Sequence, residues 1–344
     1  MNKFHFKGVE LLKVKDVSPK LKEIFEYCKI PRRAQRAIAE VGLSPESLES
    51  NYKSFKANPE RYKCLSPLSY QYRFAYDVTD RHLLYHYLPD QDLKKIVDSR
   101  TFLVGEQCDM NDQNEGKYAF NIAREELRKM HASDKVLKSF DEIIKTKIYS
   151  QIFIWSFLKN SAAAGMEKYG DTAIGMDSMQ IDLNLNARLN EEPGLFHYLA
   201  LKVCYNKQDQ HNYIRNLMKF FIEAVNNKNA LRRLVEESYV LKVLIFYSLV
   251  FKPPVLSNEK EIRFVILKTL DTKKSKFISL NGNNKFKYSA PITPDNLKEI
   301  IVNHMTESKE YGAVDIPTKI QELKVYLKKC GFDSTEVKET LRPY

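Results

Sequence analysis

The arrangement of apolar and polar positions divides the chain into a helical beginning and a long remainder of alternating strands and helices. Ser18-Pro19 is an N-cap followed by proline at the first helical position, and Ser44-Pro45-Glu46 repeats the signal. A further helix is expected from Pro31 to Gly42. Past residue 82 the pattern changes. Strands are expected at 83–87, 101–104, 151–157, 172–176, 196–205, 262–267, 300–304 and 337–341. Helices are expected near 90–97, 117–131, 134–147, 161–169, 208–226, 229–250 and 316–330. Asn281-Gly282 between two alternating runs predicts a hairpin. This order fits α+β, with mixed, largely antiparallel sheets carrying helical insertions, better than a doubly wound α/β sheet. Two units are expected: a helical section over 1–80 and an α+β domain over 82–344.

Composition narrows the class. The 344 residues are 43% hydrophobic and 29% charged, enough apolar material for a core and too much for a disordered chain. The five cysteines are scattered and none forms a C-x-x-C pair, which argues against a disulfide framework or thiolate zinc site and fits a reducing cytoplasm. The start of the chain has no secretory pattern. The most apolar run, Val240 to Phe251, contains Lys242 and is too short to span a bilayer, so it is expected to be a buried helix. There is no glycine-rich dinucleotide loop, no P-loop, no H-E-x-x-H and no G-x-S-x-G. No metal is expected, because the seven histidines show no metal-type pairing.

The net charge of +11 favours anionic partners. Arg32, Arg33 and Arg36 open a helix pair resembling a helix-turn-helix, but they lie on its first helix, which favours a solvated basic face. Lys268, Lys273, Lys274, Lys276, Lys285 and Lys287 crowd the hairpin with Phe277, Phe286 and Tyr288 between them. Lysines with interleaved aromatics suit single-stranded nucleic acid; lysines that protect a sheet edge are the plainer reading. Glu259-x-Glu261-x-Arg263 opens a strand, and period 2 puts the three side chains on one face. Such a set can orient a sugar hydroxyl or stabilise a developing cation. His86, flanked by Tyr85 and Tyr87, can reach a ribose hydroxyl from a strand.

Taken in order, these segments resemble an uncharacterised bacterial domain family whose members often neighbour phage-defence genes. The resemblance rests on YHYLPDQDLKKIVDSRTFLVGE, Asn111-Asp112 with Glu115, Trp155-Ser156-Phe157, Glu167 to Asp171 followed by Ala173 to Met176, FKPPVLSNEKEIRFVI, and the tail from IIVNHM to LRPY. It covers residues 82–344. Departures are Met166 for the family's tryptophan, Leu158 for a serine, Gln113-Asn114 for Pro-Phe, and Val255 for an aromatic. The family layout is distantly similar to ADP-ribosyltransferases. That similarity implies an NAD-dependent ADP-ribosyltransferase or NAD glycohydrolase, as in a bacterial defence or toxin protein, acting on a protein or nucleic-acid acceptor. It implies that Glu261 stabilises the sugar cation and Glu259 activates the acceptor. His86, Tyr87, Ser156, Tyr169 and Arg263 would hold NAD, with His86 and Glu261 in one cleft. The alternative is a non-catalytic nucleic-acid-binding protein acting through Lys273, Lys274, Lys276, Lys285 and Lys287. A nuclease with Asn111, Asp112 and Glu115 as metal ligands ranks below both.

Overall fold

In the computed structural model, the described residues are 17–31, 34–35, 44–110, 116–160, 170, 172–302 and 316–339. The expected helices at 31–42 and 161–169 fall largely or wholly outside them, as do Arg32, Arg33 and Arg36.

Proline punctuates the first section. Helices α1 (Pro19–Cys28), α2 (Pro45–Ala57), α3 (Pro59–Leu65) and α4 (Pro67–Arg73) each begin with proline behind Ser18, Ser44, Asn58 and Ser66. The ring pre-sets the helical φ at a position whose N–H has no intrahelical partner. Ser18, Ser44 and Asn58 also accept a backbone N–H within the first turn. Val17, Leu21, Ile24, Phe25, Phe55 and Tyr62 form a small core of their own.

The section is joined to the rest through its end and through Arg61 of α3, which pairs with Glu236. Tyr70 and Phe74 of this stretch belong to the larger helical core beyond it. Ala75 bridges Leu201, Tyr76 N–H donates to Ala200 O at 2.9 Å, and Lys202 N–H donates to Phe74 O at 2.7 Å.

The remaining elements are β1 (Leu83–Leu88), α5 (Asp90–Ser99), β2 (Thr101–Gly105), α6 (Tyr118–Lys129), α7 (Asp134–Ile143), β3 (Tyr149–Leu158), β4 (Thr172–Asp177), α8 (Ser178–Leu189), β5 (Phe196–Lys202), α9 (Lys207–Val225), α10 (Ala230–Val250), β6 (Glu261–Thr269), β7 (Ile278–Leu280), β8 (Phe286–Pro291), β9 (Leu297–Val302), α11 (Ile316–Lys329) and β10 (Glu336–Glu339). Seven strands form one sheet in the order β10-β9-β4-β1-β3-β6-β5, and β2-β8-β7 form a second. Among the described strands, all pairings are antiparallel except β10 with β9, which α11 connects as a crossover. The α+β class with largely antiparallel sheets is thus observed.

The large sheet is covered on both faces. On one face, Leu84, Phe153, Trp155, Phe157, Ile174, Ile262 and Phe264 meet the small sheet with α5, α8 and α11. On the other, Ile154, Val265 and Leu267 meet α6, α9 and α10. The apolar run at 240–251 is a buried helix end, as expected, and among the described residues no helix is long and apolar enough to cross a membrane.

The hairpin exists, but its turn is not the tight Asn-Gly pair. Leu280 pairs with Phe286, so five residues make the loop. Asn281 Oδ1 accepts from Asn283 N–H and Lys285 N–H, and the left-handed position is Asn284, with φ 56°. The Asn281 side chain organises the loop and leaves no need for a two-residue turn.

Candidate active site

The three strands that carry the expected site residues are neighbours: β1 brings His86 and Tyr87, β3 brings Ser156, and β6 brings Glu261 and Arg263. Register sets their faces. Tyr85 lies opposite Leu158, Leu158 opposite Glu261, and Ser156 opposite Arg263. Alternation therefore puts Tyr85, Tyr87, Ser156, Glu261 and Arg263 on the face that β3 and β6 turn to α9 and α10.

His86 takes the opposite face. Its ring meets Phe102 edge-on at 4.8 Å between centroids and Phe157 at 5.8 Å, in the layer between the two sheets. Its Nδ1 lies 2.7 Å from Ser156 O and so carries the proton it donates to that carbonyl. Burial pushes the His86 pKa down, against the opposing pull of the Ser156 carbonyl and the Glu261 charge. The expectation that His86 and Glu261 line one cleft is corrected here: the sheet stands between their side chains. His86 fixes the backbone of β3 at Ser156 and does not face Glu261.

Glu261 is 3% exposed and sits in a set of ion pairs. Arg263, fully buried, donates Nε to Oε1 at 3.0 Å and Nη2 to Oε2 at 3.2 Å, a two-pronged grip. Its Nη1 donates to Leu249 O at the end of α10. Lys252, just past that helix, reaches Glu261 Oε2 at 2.7 Å and Glu259 Oε2 at 3.0 Å. Tyr205 Oη accepts the Glu261 N–H at 3.2 Å. Burial would raise the Glu261 carboxyl; the charges of Arg263 and Lys252 and the bonds they donate outweigh it and hold the pKa at about 2. The sheet and the last turn of α10 are thus joined through two acids and two bases.

Ser156 Oγ is buried and has no hydrogen-bond partner among the described residues. Tyr87 is buried with Leu158, Ala173 and Ile301. Tyr169, Met166, Asn111, Asp112 and Glu115 lie outside the described residues. Sequence reasoning gave no part to Lys252 or Tyr205. Lys252 stood in the quoted FKPP segment, but only the fold brings it back to β6. Trp155 Nε1 was also missed; it is buried with no hydrogen-bond partner among the described residues, and the indole stacks on Phe102 at 4.8 Å.

The lysine hairpin is less free than its sequence suggests. Lys276 pairs with Glu191 at 2.7 Å, Lys285 lies 3.5 Å from Asp109, and Lys268 is buried with its Nζ on Asp271 O. Phe277 and Tyr288 are core residues and not stacking surfaces: both are buried in the layer between the two sheets, with Tyr288 against Phe153 and Phe277. Lys287 is half-buried along Gly105. Lys273 and Lys274 are exposed, and the facing pair Leu280 and Phe286 is 57% and 41% exposed.

Among the described residues, one group of metal-type donors occurs: Glu106, Cys108 and Asp109, within 4.8 Å of one another. Lys285 already faces its Asp109. The cysteines Cys28, Cys64, Cys108, Cys204 and Cys330 are all free. A cleft between α2–α3 and α10 includes none of the residues named so far as site candidates. No family model, no curated protein and no solved structure matches this chain.

Proposed function

We propose that the chain is an ADP-ribosyltransferase-like protein that takes NAD and either transfers its ADP-ribose or hydrolyses it. The observation that carries the reading is the adjacency of β1, β3 and β6, with Tyr87, Ser156, Arg263 and Glu261 on one face and Glu261 held ionised. In the reaction, the bond between the sugar C1′ and nicotinamide breaks. The electron pair leaves with nicotinamide, and water or an acceptor attacks the sugar cation. A carboxylate already ionised and fixed is the group that stabilises such a cation. Ser156 Oγ supplies an unused hydrogen-bonding group beside Arg263. Two contacting cations cancel much of the Glu261 field, so activity needs Lys252 to move onto Glu259, which it already touches. His86 serves as a positioning residue through the Ser156 carbonyl. Glu259, less buried than Glu261, is the group placed to activate an acceptor.

The test follows nicotinamide release from NAD. The wild type is expected to release it, Glu261→Gln to lose release by at least about a hundredfold, and Glu259→Gln to lose transfer while keeping hydrolysis. Circular dichroism shows whether each variant is folded. No release by the wild type, or equal release by a folded Glu261→Gln, overturns the reading.

A second reading, a nucleic-acid-binding protein without catalysis, is favoured by the exposed Leu280–Phe286 pair at the loop end of the hairpin and by the exposed Lys273 and Lys274 in the segment that leads into it. It predicts binding to single-stranded oligonucleotides that weakens steeply with salt and is lost on replacing both lysines and Phe286 with alanine.

A further inference from the structure

The apolar side chains of α10 are buried along its second half but not its first. Val240, Leu241, Val243 and Leu244 are core, whereas Leu231 is 73%, Val235 47% and Tyr239 48% exposed. Those three stand at i, i+4 and i+8, one stripe about 12 Å long at 1.5 Å per residue. The stripe forms one wall of an open cleft of about 640 Å³, whose other wall is Ser50, Ser54 and Asn58 from the α2–α3 corner. A concave apolar stripe with a polar rim is the anatomy of a docking groove.

Its charge is unbalanced. Glu236, 9% exposed, receives Arg61 Nη2 at 2.9 Å and Arg232 Nε at 3.0 Å on the same oxygen, Oε1. One carboxylate shared by two guanidiniums leaves an excess positive charge in the groove. The Arg232 side chain is 68% exposed, so that charge faces the opening. Arg61 is anchored by its guanidinium over the Phe220 ring at 5.6 Å.

We infer that this groove docks an acidic amphipathic helix of a partner protein, with apolar side chains against Leu231, Val235 and Tyr239 and a carboxylate on Arg232 and Arg61. Two turns of stripe match the i, i+3 or i+4, i+7 anchors of such a helix. A second copy of this chain fits poorly, because a symmetric contact through the stripe would bring Arg232 against its own copy. The site does not depend on the NAD reading and shares no residue with it.

The test uses the full chain and two fluorescein-labelled synthetic helices with leucine at the i, i+3, i+4 and i+7 positions. One carries glutamate at the remaining positions and the other lysine. Fluorescence anisotropy is expected to show the glutamate helix binding at least about tenfold more tightly than its twin. Val235→Asp should abolish binding, and Arg232→Glu should reverse the preference. Both changes are on exposed side chains, so folding is preserved, and a thermal melt verifies it. No binding, equal binding of the two helices, or unchanged binding by Val235→Asp overturns the proposal. Displacement of the peptide by anionic phospholipid vesicles or by a single-stranded oligonucleotide, lost in Val235→Asp, also overturns it and assigns the groove to that ligand.

Discussion

Replacing Arg263 with methionine tests the ion-pair set most directly. The change keeps apolar bulk and removes the guanidinium from Glu261. In the native protein the carboxyl falls from an ordinary 4.5 to about 2. Each pKa unit corresponds to about 1.4 kcal/mol, so its surroundings favour the charged form by about 3 kcal/mol. Arg263→Met leaves Glu261 with Lys252 alone and Leu249 O without its donor, and a loss of about 3–5 kcal/mol is expected for breaking a buried pair. Glu261→Gln in the same chain removes the stranded charge, so Glu261→Gln/Arg263→Met should lose clearly less than the sum of the single losses. Urea unfolding at pH 7 gives the three values. The pH dependence has a definite sign. Because the folded pKa lies below the unfolded one, the stabilisation is complete above about 4.5 and disappears as pH falls toward 2. Wild type should therefore lose more stability across that window than Glu261→Gln does. Strictly additive single losses, or identical acid profiles, would refute the coupling.

Other perturbations have equally defined outcomes. Gly170 has φ +151°, and a Cβ there would stand 2.1 Å from the Leu88 carbonyl carbon and oxygen; Gly170→Ala should cost about 3 kcal/mol or more in a thermal melt. Gly194, with φ +80° and open space around it, should cost only about 1 kcal/mol on the same change, which separates clash from backbone strain. Glu126 is fully buried beneath Arg215 at 2.6 Å and His211 at 2.8 Å, with a pKa of about 2. Glu126→Gln should destabilise by about 2 kcal/mol at pH 7, a difference that shrinks as pH falls from about 4.5 toward 2, read by urea unfolding. Phe286→Ala should leave the melting temperature nearly unchanged, since the ring is exposed; a large drop would mean that the hairpin end is part of the core.

The strands and helices past residue 82 were largely legible, because their signals are local. In the first section Ser18 and Ser44 before proline mark helix starts, and past residue 82 alternation marks β6 and the hairpin. The shared face of Glu261 and Arg263 was legible for the same reason; Glu259, expected on that face as well, instead ends a 3-10 turn before the left-handed Lys260 (φ 44°), so the strand alternation does not extend to it. Which face His86 shares was not. Alternation fixes sides within a strand, but the relation between β1 and β6 depends on the pairing Tyr85–Leu158–Glu261. A slip of one residue would reverse the answer. Lys252 was equally hidden, because its contact with β6 depends on where α10 ends. The lysine hairpin misled in the opposite direction: Glu191 and Asp109, which occupy two of its lysines, are far away in sequence.

The short contact between residues 74–76 and β5 has a consequence for handling the protein. β5 is the outermost strand of the large sheet on that side, and Phe74 and Tyr76 exchange backbone bonds with Lys202 and Ala200 there. A chain begun at residue 82 would keep every strand of the sheet yet uncover the Ala200 carbonyl and the Lys202 amide in the edge row of β5. Such a row is a template for strands of other molecules. The shortened protein should self-associate in a concentration-dependent way, so the first section acts as a guard against aggregation as well as a helical unit.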